Sequence, residues 1–368
     1  MSSKPLFLSA SRIKTSQECS WSYYAKYILK LPEDSNDGAS RGWICHLIFE
    51  CLGNPRHKHH YDLIIKKRDI FSSKSVKELV FKHARLLNVA DEENIELIKD
   101  MTLNGLLYDF FGKNSGGGEK PAEAISEKDF EICVNKNGKK YNIKGFIDKL
   151  FLYKKKSFAL IRDFKSSKQV FKGKDLDDNM QDLMYSLAVK HLYPDYLKRQ
   201  SEFLFLKFDL SNDLLGKVGK GVIQMPDISD DELEGFELFL TEMQDFLENF
   251  DYDDGIANFA ASQGYPSDGT FGGPLKCGKD GFKIRQGKPI VDSNGNKIKA
   301  YICPFRKPFQ YYAVKDKDNK IKKTYFIKNG DKVKVDESKG EKVEILEYAG
   351  CPYWKAKKTK PVQDDFMF

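Results

Sequence analysis

The stretch that most constrains what this chain can become lies between residues 143 and 185. Residues 143–153 and 157–164 are two apolar, β-prone runs separated by Lys154-Lys155-Lys156, which reads as a β-hairpin. Asp148 falls on the first strand, Asp163 near the end of the second, and Lys165 two residues further on. Strand side chains alternate faces, so Asp163 and Lys165 project to the same side. Two carboxylates brought together by strand pairing repel each other unless a cation lies between them. A hard divalent ion such as Mg²⁺ takes carboxylate oxygens, keeps several waters and suits phosphate chemistry. A lysine beside it can orient or deprotonate an attacking water and offset charge developing on phosphate. Downstream, Gln181 and Tyr185 are four residues apart in a helical pattern and face one side.

Upstream, residues 41–52 (RGWICHLIFECL) have helical periodicity. Gly42, His46 and Glu50 share one face, leaving Trp43, Leu47 and Phe49 for the core. A neutral imidazole at His46 is able to supply a third metal ligand, although a lone histidine on such a helix is more often structural. Residues 55–112 read as all-helical, introduced by a loop, NPRHKHHYD, whose histidines suit a solvated, phosphate-facing segment. KNSGGGEKP (113–121) has the composition of a flexible linker. Strand patterns follow at 125–134, 201–210 and 216–224. Residues 226–255, with twelve acidic and no basic residues, form an amphipathic helix with an acidic outer face.

Four pieces now stand in order: G-x-x-x-H-x-x-x-E at 42–50, G-F-I-D at 145–148, D-F-K at 163–165 and Q-x-x-x-Y at 181–185. Together they resemble the RecB-like branch of the PD-(D/E)XK nucleases. The resemblance implies an α/β fold, a central mixed sheet flanked by helices. It implies that His46, Asp148 and Asp163 bind Mg²⁺ or Mn²⁺, that Lys165 is catalytic, and that Gln181 and Tyr185 orient the backbone or the lysine. Glu127 stands where family members often carry a supporting acid; as an edge-strand surface residue it would be unremarkable. The expected activity is that of a DNA exonuclease acting on ends or single strands, in recombination, repair or replication. The expected setting is phage or bacterial cytoplasm. A non-catalytic DNA-binding protein on the same fold, and an RNA-processing nuclease, use the same residues and remain open at this point. No G-x-x-x-x-G-K-[ST] motor signature occurs.

The last third differs in charge. Residues 276–360 hold 23 basic against 10 acidic side chains, in a chain whose net charge is only +7. Phe305, Phe309, Tyr311, Tyr312, Tyr325, Phe326, Tyr353 and Trp354 are interleaved with them, as expected for single-strand binding. Of seven cysteines, Cys45, Cys51 and Cys133 lie in helix or strand patterns and read as core packing. The other four, Cys19, Cys277, Cys303 and Cys351, follow the one-plus-three order of RecB-like relatives such as AddB-type subunits and CRISPR adaptation nucleases. That likeness implies a [4Fe–4S] cluster, with a Cys₄ zinc site or unligated thiols as alternatives. The intervals between the last three are wider than in those relatives, but hairpin signals at 294–295, 318–319, 329–330 and 339–340 would return the chain to where it left.

The expected domains are N-terminal helices of the nuclease core (1–52), a helical insertion and linker (53–120), the core proper (121–255), a basic cysteine-bearing region (256–360) and a tail (361–368). That tail, KPVQDDFMF from Lys360, resembles the C-terminal peptides by which replication proteins dock on sliding clamps, and also the tip of single-strand-binding proteins. Hydrophobic content of 40% suffices for a core, and no apolar run approaches a membrane span or a signal peptide.

Overall fold

In the computed structural model of the chain, the described residues are 5–33, 36–167, 170, 179–210, 221–260, 277, 284–285, 288–291, 295–297, 303–327, 333 and 335–354. The chain divides into two compact units, Met1–Ala10 with Ser35–Asp245, and Ser11–Asp34 with Phe246–Phe368. The expected docking tail, 361–368, lies outside the described residues.

Short helices α1 (Ala10–Glu18) and α2 (Ser20–Tyr23) come first. The first unit then runs through α3 (Asp37–Gly53), α4 (Lys58–Lys67), α5 (Lys74–Leu86) and α6 (Glu92–Leu107). Side-chain caps start three of them: Asn36 accepts from the Ala39 amide, Ser73 from Val76 and Asp91 from Asn94, satisfying donors that a helix start leaves orphaned. The residues read as a loop ahead of this insertion are helical instead. Asn54 accepts from the Arg56 amide, Pro55–His57 makes a 3-10 turn, and α4 begins at Lys58.

The expected hairpin is present: β1 (Glu123–Lys136), β2 (Lys139–Tyr153) and β3 (Phe158–Lys165) form an antiparallel meander. Helix α7 (Met180–Leu192), capped by Asn179, leads to β4 (Lys198–Phe205), which pairs parallel to β3. β5 (Val222–Gln224) closes a mixed sheet of order β1-β2-β3-β4-β5. The helical insertion packs on it through a core that includes Ile44, Ile48, Phe49, Val80, Ile98, Phe164 and Leu204.

Three readings change here. Trp43 is half exposed, because Ile44, Cys45, Ile48, Phe49 and Leu52 occupy the buried arc of α3 and position 43 falls on the opposite side. Cys133 is exposed, since the inward alternation of β1 is taken by Phe130, Ile132 and Val134. The glycine-rich segment after α6 is pinned rather than a free linker. The Asp109 carboxylate accepts from the amides of Lys113, Asn114 and Ser115 at 2.8–3.0 Å, and Lys156 Nζ donates to the Gly116 carbonyl at 2.7 Å.

Helices α8 (Asp230–Glu248) and α9 (Tyr252–Ala257) lead towards the C-terminal region. The second unit contains a two-stranded ribbon, β6 (Ile284–Arg285) with β7 (Lys288–Pro289), and a sheet of β8 (Phe309–Lys315), β9 (Ile321–Phe326) and β10 (Lys342–Tyr348) in the order β10-β8-β9. The turn at 318–319 joins β8 to β9, with Asn319 at φ +63°. The hairpin signal at 329–330 lies outside the described residues. Of the aromatics expected to meet nucleic acid, Phe305 and Tyr311 are instead buried with Trp21, Ala313 and Tyr348. Among the described residues, no helix is long and apolar enough to cross a membrane.

Candidate metal and catalytic centre

The first unit gathers its acids where β2 and β3 stop pairing. Their ladder ends at Lys149↔Arg162, so Asp148 and Asp163, the next residue on each strand, lie where the strands part. The Asp148 carboxylate bridges the gap, Oδ2 accepting from the Phe164 amide at 2.8 Å. Across β1, Ser126↔Lys149 and Lys128↔Ile147 pair, but Glu127 between them does not. Glu127 has φ +48°, a left-handed conformation costing a non-glycine residue on the order of 1–3 kcal/mol and concentrated at functional sites.

His46 arrives from α3. Gly42, one turn earlier on the same face, allows the close approach: a Cβ there would sit 2.9 Å from Ser166 Oγ, just past β3. The ring's Nε2 is 3.1 Å from the Phe164 carbonyl. A carbonyl only accepts, so Nε2 carries the proton and, in neutral histidine, Nδ1 presents a lone pair. That lone pair faces Asp148 Oδ1 at 3.4 Å and Glu127 Oε1 at 3.5 Å. Three acceptors thus point at one another, and only a cation or a proton reconciles them. His46, Glu127 and Asp148 have donor atoms within 4.8 Å of one another, suited to a metal ion. Without a metal, the proton takes the place: burial pulls the His46 pKa down, but the bond and charge of Asp148, with Glu127, carry it up to about 11.

Asp163 lies beside this trio in a different set of bonds. Its Oδ2 is 2.7 Å from Lys165 Nζ, while Oδ1 accepts from Gln181 Nε2 at 2.6 Å and from Tyr185 Oη at 3.3 Å. Gln181 Oε1 accepts from Lys165 Nζ at 2.6 Å. The side chains expected from the D-F-K and Q-x-x-x-Y pieces therefore meet in one network. Complete burial and the charge of Asp148 push Asp163 up to about 6 against the pull of Lys165. Burial likewise raises Tyr185 far above its ordinary value, so it stays a neutral donor. Sequence reasoning missed Ser166, the Phe164 carbonyl and the outward turn of Trp43. Only Trp43, which lies inside the G-x-x-x-H piece at 42–46, left any trace in the sequence.

In the second unit, Cys19, Cys277, Cys303 and Cys351 line one small cavity with Trp21 and Arg306. None of the four forms a disulfide bond. The Cys303 sulfur accepts from the Phe305 amide, and the Cys351 sulfur from the amides of Tyr353 and Trp354. Burial nevertheless pushes Cys303 up to about 12 and Cys351 up to about 11, and the neighbouring thiols add to both. Trp21 Nε1 donates to Tyr348 Oη at 2.7 Å, which donates to the Phe305 carbonyl at 2.8 Å, closing the wall.

No curated protein matches this chain. A solved structure titled "Crystal structure of SSO0001" is 18% identical to it, covers 47% of this chain and 69% of that one, and has a TM-score of 0.25. So low a score carries no argument about fold or activity. The model of the PD-(D/E)XK nuclease superfamily matches residues 7–258, which span the mixed sheet, α3 and every side chain of the centre described above. The chain belongs to the PD-(D/E)XK nuclease superfamily.

Proposed function

We propose that the first unit hydrolyses phosphodiester bonds in DNA, removing nucleotides from ends or single strands with Mg²⁺ or Mn²⁺ as cofactor. The observation that carries this reading is the convergence of the His46 lone pair with Glu127 and Asp148. An acceptor-only pocket with a hydrogen-bonded imidazole is what a hard divalent ion requires. His46, Glu127 and Asp148 would hold the ion, with Asp163 completing the set. When bound, the ion would polarise a phosphoryl oxygen and make water a competent nucleophile at neutral pH.

The chain's own groups do the rest. Asp163 and Gln181 fix the Lys165 ammonium from two sides, a geometry suited to orienting water and offsetting phosphorane charge. Tyr185 and Gln181 hold Asp163 in turn. The test is end-labelled single- and double-stranded DNA and RNA with Mn²⁺, with and without chelator, on wild type, Asp148→Asn and Lys165→Ala. Chelator-sensitive shortening of DNA from its ends, absent in both variants, is expected. Cleavage retained by both variants would refute the assignment, and preference for RNA would redirect it to RNA processing.

For the second unit the reading is a [4Fe–4S] cluster on Cys19, Cys277, Cys303 and Cys351. What supports the reading is that the four cysteines line one cavity; burial holds Cys303 and Cys351 as thiols, so ligation would displace their protons. A cluster there would place the chain with the AddB-type and CRISPR-adaptation branch. Brown protein with about four irons per chain supports it, and colourless protein with one zinc replaces it with the structural-zinc reading.

A further inference from the structure

Trp43 is a large apolar side chain that the hydrolytic centre does not use and the core does not absorb; it is 50% exposed. It precedes His46 by three residues on α3, hence lies on the same helix face. With His46, Glu127, Leu47 and Ser166 it lines a cleft of about 420 Å³, within the ~300–1,000 Å³ of small-molecule sites. The indole is not loose. It rests against His83 of α5, ring centroids 5.1 Å apart and planes at 53°, which fixes its position and leaves one side open.

An exposed aromatic face in a cleft that also holds the metal-capable residues is what unpaired nucleic acid fits, because a ring stacks on any base. Bases inside a duplex are already stacked on both sides and have no face to offer. A tryptophan one helical turn from His46, in the same cleft, is placed to tell unpaired from paired substrate. We propose that Trp43 stacks on the base next to the scissile phosphate and so makes an unpaired strand, or an unpaired end, the substrate. The inference rests on the nuclease reading of the same cleft.

Binding and cleavage separate the two. A labelled oligothymidylate is titrated into Asp163→Asn protein carrying Trp43, Trp43→Phe or Trp43→Ala, reading anisotropy and tryptophan fluorescence. The same three side chains are placed in otherwise wild-type protein for cleavage with Mn²⁺ of that strand and of a blunt duplex. Expected are quenching with Trp43 only, near-normal affinity in Trp43→Phe, and a loss of about ten- to a hundredfold in Trp43→Ala. Cleavage of the single strand should fall by a similar factor, and that of the blunt duplex should not change. Leu197→Ala, which removes another exposed apolar side chain, should leave all readings unchanged. If Trp43→Ala binds and cuts the single strand as wild type does, or loses both substrates equally, the stacking role is wrong while the nuclease reading stands. If wild type cuts no nucleic acid with Mn²⁺ or Mg²⁺, both fall together.

Discussion

The two donor clusters of this molecule are built in opposite ways. In the first unit, His46, Glu127, Asp148 and Asp163 sit on a helix and three strands, and their positions are fixed by capping, ladders and a carbonyl bond before any ligand arrives. In the second, Cys19, Cys277, Cys303 and Cys351 all lie outside helices and strands, walled by Trp21, Phe305 and Tyr348. The oxygen- and nitrogen-lined pocket carries its geometry in the backbone. The sulfur pocket carries an apolar cage and leaves more of the geometry to whatever it binds. A hydrolytic centre gains from the first arrangement because preorganised charge costs no rearrangement during reaction. A structural centre tolerates the second, because there binding energy becomes folding energy.

The sharpest way to break this contrast is to remove one group from each pocket. Asp148→Asn or Lys165→Ala should lower cleavage on the order of 10³-fold or more, with the fold and oligonucleotide binding kept; Asp148→Asn gives up only the stability that its charge lends to the His46 proton. Global unfolding of either variant would show that the first pocket is structural too. Cys19→Ser should do the reverse. With the proposed cluster in place, it should lower the metal content and thermal midpoint far more than Cys133→Ser, whose side chain is exposed on β1, because only the former would lose a ligand that ties the pocket together. Equal midpoints for the two serine variants would deny the cysteine cage its structural role.

How much of this was legible in the sequence follows from the same contrast. The hairpin, its two aspartates, the lysine and the Gln/Tyr helix are local patterns, and strand alternation alone places Lys165 beside Asp163. The cysteines were legible as an order along the chain, but not as a cavity, since no periodicity links Cys19 to Cys351. Helical periodicity showed that α3 has two faces without saying which is buried. That decided Trp43 wrongly, because the arc of Ile44, Ile48 and Phe49 won the core. The Asp109 carboxylate that pins the glycine-rich turn was invisible because composition reports flexibility, not the side-chain bonds that remove it. Glu127 was undecidable for a related reason: its left-handed backbone belongs to a strand that gives no sequence sign of interruption.

The acceptor trio also makes a statement about pH. In the metal-free protein, the His46 pKa is raised from its ordinary 6.5 to about 11. A raised folded pKa contributes stability that is complete below about pH 6.5 and lost as pH rises through about 11. A divalent ion must displace that proton, so its affinity should tighten about tenfold per pH unit across the neutral range. Calorimetry with Mn²⁺ in buffers of differing ionisation enthalpy should count close to one proton released per ion. His46→Gln should flatten the dependence, and a flat dependence in wild type would mean that the imidazole is not where the ion goes.

The smallest effect expected concerns how α3 and the end of β3 come together. Gly42→Ala gains helix propensity of about 1 kcal/mol. It also sets a methyl 2.9 Å from Ser166 Oγ and 3.3 Å from its Cβ, a contact too close to hold unmoved, with overpacking costing about 1–3 kcal/mol. The two terms are of similar size and opposite sign, so the thermal midpoint should scarcely change. Activity has no such compensation. Relief of the clash moves Ser166 or α3, and α3 carries His46, whose ring must keep its 3.1 Å contact with the Phe164 carbonyl. Cleavage should fall by roughly tenfold, the scale on which outer-shell changes weaken a metal centre. Ser166→Gly in the same chain removes both offending atoms and should restore most of the rate. If Gly42→Ala is as active as wild type, the pocket tolerates displacement of its histidine, and its backbone is less decisive than its contrast with the cysteine cage requires.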